Sequence, residues 1–217
     1  MLALIRYALA SLIHSQRYLA PALLYLVVLA TFTINDQGTL AGVYVVSAGA
    51  LLVCGTWLTV TIVNLDDPVQ RAITVSAAGR SRRVLAASVG LAVLVCVVLA
   101  GVGLVFPLLS GHHVITSAGL VTGAEAELAC AFAGIAVGLL CSRLVVGRPG
   151  YSLILALGLV LALPLVRIPP INPMLRSMSG DGPAGHLVLP IAADLTVCVI
   201  LSLASALVTQ YFAVRRD

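Results

Sequence analysis

The chain has 217 residues, of which 61% are hydrophobic and 9% charged, with a formal net charge of +4 and a mean hydropathy of +1.14. Soluble domains carry about a quarter charged residues, so this composition excludes a water-soluble globule and makes lipid the solvent for most side chains. Every basic side chain is Arg and none is Lys, which removes the lysine of a phosphate-binding loop and the amine of a Schiff base. Nucleotide hydrolysis by this chain is therefore not expected, and any ATP that powers it binds to another polypeptide.

In lipid the backbone must satisfy its own hydrogen bonds, as helices or as a closed barrel. The apolar runs are near helix-spanning length and lack the polar alternation of barrel strands. The expectation is an all-α integral membrane protein forming one transmembrane domain over 1–217. Its first segment, 1–17, is apolar but interrupted by Arg6, Ser11, His14 and Ser15. At helical spacing Arg6, Ala10, His14 and Arg17 share one stripe and Ile5, Leu9 and Leu12 lie away from it, with Ile13 on the wrong side. That pattern predicts a helix lying in the membrane interface. A removable signal peptide is not expected, because no charge precedes Arg6 and no small-residue cleavage site follows.

Spans are predicted over 18–34 and 40–63, joined at 35–38 as an antiparallel hairpin. Asp67 is placed to cap a short polar-faced helix over 67–78, with Pro68 in its first turn and Gly79 as its stop. The basic cluster Arg80, Arg82 and Arg83 follows. A third span is predicted over 84–109. After a loop carrying His112 and His113, the tetrapeptide 122–125 has capping-box spacing and opens a fourth span to 146. Glu125 and Glu127 are read as first-turn acids that complement the helix dipole. A fifth span covers 151–166, a Pro- and Gly-rich outer connection covers 167–187, and a sixth span runs from 186 to 212.

Ten arginines, 6, 17, 71, 80, 82, 83, 143, 148, 215 and 216, fall on one side of this scheme, and Arg167 and Arg176 on the other. The excess assigns the basic side to the cytoplasm, with both termini inside. His112, His113, Glu125, Glu127 and the Pro-rich connection are then outside.

Within the spans, Asp194 stands about two turns into the sixth. A charge facing lipid there costs several kcal/mol, so Asp194 is expected to face the protein interior or a cavity, lining a substrate path, pairing with Arg167 or standing at a solvated helix end. Trp57 is a second substrate-path candidate, its indole N–H wanting a partner. Gly134 and Gly138 form a GxxxG pair, as do Gly38 and Gly42, and suit close helix packing, inside the chain or across a permease dimer. The five cysteines, Cys54, Cys96, Cys130, Cys141 and Cys198, lie in apolar runs without CxxC spacing and read as small buried hydrophobes. A metal site at His112 and His113 is disfavoured for want of helper ligands.

The segment 66–87, with Asp66, Asp67, Gln70 and Arg71 leading to Gly79, Arg80, Ser81, Arg82 and Arg83, resembles the permease subunits of type-2 ABC exporters. In that family an interfacial elbow helix precedes six spans, and an acidic-to-Gln segment with a Ser-Arg step lies between the second and third. The resemblance implies that 66–83 is the coupling helix and basic loop that dock on a separate ATPase subunit, with ATP and Mg bound by that partner and no cofactor on this chain. It also implies a homodimer, or a heterodimer with a second permease. The compartment would be the bacterial cytoplasmic membrane, and the outer connection 167–187 would dip back toward the bilayer. Here Asp66, Asp67 and Pro68 stand where Glu and Gly-Thr are common in the family. Read without the resemblance, the same cluster is a basic loop that sets topology.

Two enzyme classes fit the sequence less well. An intramembrane serine protease wants a GxSG nucleophile, which 177–180 is not, and a lipid headgroup transferase wants several paired acids, whereas Asp181-Gly182 stands alone. A non-catalytic anchor or accessory subunit remains open. No nucleic-acid partner is expected. The apolar path suits a hydrophobic or amphipathic substrate such as a drug, antibiotic, peptide or lipid.

Overall fold

The computed structural model describes residues 2–34, 40–110, 116–146, 149–166, 169–180 and 184–216, and among them every regular element is helical. The sequence readings at 35–38, His112, His113, Arg148, Arg167, Asp181 and Gly182 lie outside the described residues. The helices are α1 (Leu2–Ser15), α2 (Leu19–Ile34), α3 (Leu40–Val63), α4 (Pro68–Ala78), α5 (Ser81–Ser110), α6 (Ser117–Leu140), α7 (Pro149–Leu165), α8 (Ile171–Met178) and α9 (Val188–Arg216), with a 3-10 turn at Ala184–His186.

Four of them, α3, α5, α6 and α9, are long and apolar enough to cross a membrane. At 24 residues α3 and α6 are each about 36 Å long, against a hydrocarbon layer of about 30 Å. A fifth crossing is available if α1 and α2, bent by 76° at their break, form one span. The bend falls at Gln16, whose φ of 54° is left-handed and ends α1 as a glycine would. On α1 Arg6, Ala10 and His14 of the predicted polar stripe are exposed, as is Arg17 in the turn beyond it, and Leu12 is buried against Ile62, Leu91 and Ala92. Ile13 is exposed, as its position off the apolar face requires.

The centre of the bundle is the pair α3 and α6, flanked by α5 and α2 on one side and α9 on the other. In the most apolar window of α6 67% of residues are buried, but in that of α9 only 22%. The outer faces of α5, α7 and α9 are correspondingly dressed with exposed Leu, Ile and Val, the surface expected of helices that meet lipid tails.

Glycine sets the spacing at the centre. A Cβ on Gly134 would stand 2.9 Å from the Leu52 carbonyl oxygen, and one on Gly138 would stand 2.6 Å from Thr59 Cβ and 2.9 Å from the Thr56 carbonyl oxygen. The small-residue pair therefore packs inside the protomer, α6 on α3. With the backbones this close, Thr56 Oγ1 donates across to the Gly134 carbonyl at 3.2 Å, and on the other flank Thr209 of α9 donates to the Leu139 carbonyl at 3.3 Å.

Several boundaries differ from the sequence reading. α6 starts at Ser117, with Thr116 at its N-cap, so the 122–125 tetrapeptide is not a cap. Thr122 bonds instead to the carbonyls of Ala118 and Gly119 within the helix, and Glu125 and Glu127 lie in the third turn. α6 also ends at Leu140 rather than 146, because Ser142 Oγ turns back on the Leu139 carbonyl and Asn64 Oδ1 accepts the Arg143 backbone N–H at 3.1 Å. Arg82 and Arg83 belong to the first turn of α5, which begins at Ser81. The outer connection contains the helix α8, whose Ile171, Met174 and Met178 are buried with Leu40, Tyr44 and Ile191. Asn172 Nδ2 ties it to the Pro164 carbonyl at the end of α7.

Replacing Gly138 by Leu is expected to cost about 1–3 kcal/mol of stability, the penalty of overpacking a filled core. The same change at Gly49, whose Cβ would meet nothing within 4 Å, is expected to cost little. Thermal melting of both variants in detergent, followed by circular dichroism, checks the difference.

Candidate functional site

Three places in the fold carry polar chemistry. The first is α4 and its neighbours. Asp67 takes the N-cap position with φ −64° and ψ 155°, Pro68 opens the helix, and Gly79 closes it with φ 75°. Asp67 makes no side-chain cap bond, so the proline and the glycine define the ends. Along α4, Val69 and Ile73 are 72% and 63% exposed, four residues apart on one face. Gln70 and Ala77 are exposed as well, and beyond the helix so are Arg80, Arg82 and Arg83. Gln70 Nε2 donates to the Tyr7 hydroxyl at 2.8 Å, which pins α4 to α1.

Asp66 is half-buried at the entrance to α4. Burial raises its carboxyl above the ordinary carboxylate range, and the neighbouring Arg71 guanidinium opposes the shift. Its backbone carbonyl accepts Arg143 Nη2 at 3.0 Å. Together with the Asn64 bond, this joins the α3–α4 turn to the α6–α7 turn. The structure thus brings Asp66, Asp67, Gln70 and Arg71 together at one end of the bundle and adds Asn64 and Arg143 to them.

The second place departs from the first-turn role expected of Glu127, which lies inside α6. Glu127 is 1% exposed and its carboxyl lies between helices. Ser47 Oγ on α3 donates to its Oε1, and the Tyr25 hydroxyl on α2 faces its Oε2 at 3.5 Å. A Cβ at Gly103 on α5 would run into the Tyr25 hydroxyl and stand 2.7 Å from Glu127 Oε1. Tyr44 fills the layer beside it, its ring against Gly123 and its hydroxyl donating to the Leu104 carbonyl at 3.3 Å. Four helices therefore converge on one carboxyl whose partners are hydroxyls. The signal available in the sequence was a Glu enclosed by Ala126, Leu128, Ala129 and Cys130, together with Tyr25 and Ser47 inside apolar spans.

The third place is a groove of about 580 Å³ between α3 and α7, lined by Val53, Thr56, Trp57, Val60, Ala156, Leu157 and Val160 and closed at one end by Asn64, Arg143 and Ser152. Trp57 is 46% exposed at its edge. Asp194 belongs elsewhere. It is half-buried on α9, one turn before the buried Cys198, at the end of the bundle where α8 packs. The two substrate-path candidates of the sequence reading are therefore separated, with Trp57 toward the α4 end and Asp194 toward the α8 end. All five cysteines are buried and unpaired, and among the described residues no three His, Cys, Asp or Glu side chains group as metal ligands.

Glu127→Gln, which keeps two polar atoms facing Ser47 and Tyr25, is expected to leave the fold near wild-type stability. Glu127→Ala strands both hydroxyls in an apolar layer and is expected to cost about 1–3 kcal/mol for the unmet donors alone. Melting temperatures of the two variants should separate in that order. Comparison of the chain with protein-family models, curated proteins and solved structures finds no match.

Proposed function

We propose that the chain is the permease subunit of an ATP-driven exporter of the type-2 ABC kind, moving a hydrophobic or amphipathic substrate out of a bacterial cytoplasm. The observation that carries the reading is α4. An amphipathic helix between two long apolar helices presents Val69 and Ile73 outward beside exposed Gln70. Exposed apolar side chains on a surface helix, rimmed by Arg80, Arg82 and Arg83, suit a soluble partner with an apolar cleft and an acidic rim.

On this reading α1 lies in the interface and α2, α3, α5, α6, α7 and α9 are the six spans, with both termini and α4 in the cytoplasm. The shortness of α2 and α7, at 16 and 17 residues, is met by local thinning of the bilayer and by flanking side chains that snorkel to the interface. The partner is a separate ATPase subunit, which binds ATP and Mg. The permease works as a homodimer, or as a heterodimer with a second permease, because one set of six spans is too small to enclose a bulky substrate.

The test is to coexpress the tagged chain with an ABC-type ATPase subunit from the same genome. Wild type should copurify with that subunit and raise its ATP turnover. Val69→Asp with Ile73→Asp, or charge reversal at Arg80, Arg82 and Arg83, should leave insertion intact and weaken ATPase binding by about tenfold or more, as loss of hot-spot contacts does. Wild-type coupling in those variants, or a probe at Arg80 reachable from outside intact cells, would overturn the reading.

A further inference from the structure

The groove between α3 and α7 is built asymmetrically. Val53, Trp57, Val60, Ala156, Leu157 and Val160 give it apolar walls. Its hydroxyl groups are turned inward onto the backbone, Thr56 to the carbonyls of Leu52 and Gly134 and Ser152 to that of Cys141. The walls therefore offer little to a polar ligand. One end is different. There the Asn64 amide and the Arg143 guanidinium stand together, the guanidinium held by the Asp66 carbonyl at 3.0 Å. Among the described lining residues Arg143 is the one with a charge.

Exposed Trp57, Leu157 and Val53 put the long side of the groove on the lipid-facing surface. The complementary occupant is apolar along most of its length and anionic at the end near Arg143. The volume lies in the usual range of ligand clefts, about 300–1,000 Å³, and the bilayer itself supplies molecules of this form. We infer that the α3–α7 groove binds one anionic phospholipid from the arginine-rich leaflet, with an acyl chain along Trp57, Val60, Ala156 and Val160 and the phosphate at Arg143 and Asn64. Arginine suits the phosphate because its planar fork of donors matches two phosphate oxygens. The site stands independently of any ATPase bound to α4.

Trp57 is the only tryptophan in the chain and lies in the groove wall, so its fluorescence reports occupancy without a label. The full-length protein is reconstituted in phosphatidylcholine vesicles carrying a small fraction of lipid brominated on the acyl chain, either phosphatidylglycerol or phosphatidylcholine. Brominated phosphatidylglycerol should half-quench Trp57 at a mole fraction about fivefold lower than brominated phosphatidylcholine, the preference expected of one arginine near a membrane surface. Arg143→Gln should bring the two curves together while leaving the phosphatidylcholine curve in place. Ala156→Phe, which fills the groove and keeps Arg143, should lower quenching by the anionic lipid even if Arg143→Gln fails to fold. Coincident curves in the wild type would mean annular contact only and would overturn the inference. So would a preference that survives Arg143→Gln, or one that Ala156→Phe leaves unchanged.

Discussion

The rest of the architecture depends on how closely α6 approaches α3. Lipid tails are as apolar as leucine, so burial from water does not drive helices together within a bilayer. Packing and interhelical hydrogen bonds must do it. Gly134 and Gly138 remove the two side chains that would hold the backbones apart, and Thr56 then reaches the Gly134 carbonyl. The same approach brings α3 near enough for Ser47 to reach Glu127 and for the Tyr44 ring to lie on Gly123. Widen the spacing and both polar links across the central pair are lost together.

Charge is handled in two ways. Most of the described arginines, among them Arg17, Arg80, Arg82, Arg83, Arg143, Arg176 and Arg215, sit at helix ends and turns, where long side chains reach water or headgroups. Arg215 lies over the Tyr211 ring at 4.5 Å, and Arg143 is anchored on a turn carbonyl. Glu127 is the exception, an ionisable group enclosed among helices. Such residues are costly and are kept for a reason, and here the visible consequence is a link that ties α2, α3 and α6 through one side chain, with Gly103 of α5 making the room.

Much of the helical content was legible because the apolar runs are long and their breakers are strong. The predicted limits 40–63 match α3, and Pro68 and Gly79 mark the ends of α4 within a residue. The failures have a common cause. Capping-box spacing at 122–125 is a local signal, and it gave way because Ser117, Ala118, Gly119, Leu120 and Val121 are small or apolar and continue the helix one and a half turns further back. That shift moves Glu127 from a solvated first turn to the interior. Its partners are 102 and 80 residues away in sequence, and no periodicity announces such pairings. The role of Arg143 was hidden for the same reason. The sequence offers it as one more topological charge near a turn, but its bonds to Asn64 and Asp66, 79 and 77 residues away, make it the hinge between two loops.

That hinge joins the two surfaces of most chemical interest. α4 begins directly after Asp66 and Asp67, and the Asp66 carbonyl holds the guanidinium that closes the α3–α7 groove. Were the proposed partner to displace α4, the Asp66 backbone would move with it, and the Arg143 side chain would follow or lose its bond to the Asp66 carbonyl. The charge at the mouth of the groove would then shift relative to the apolar wall formed by Trp57 and Val60. On the proposed function, a partner that favoured one position of α4 would thereby favour a filled or an empty mouth of the groove. By linkage the reverse holds with equal free energy, so an anionic lipid seated at Arg143 would bias α4 toward the position that keeps the Asp66 bond.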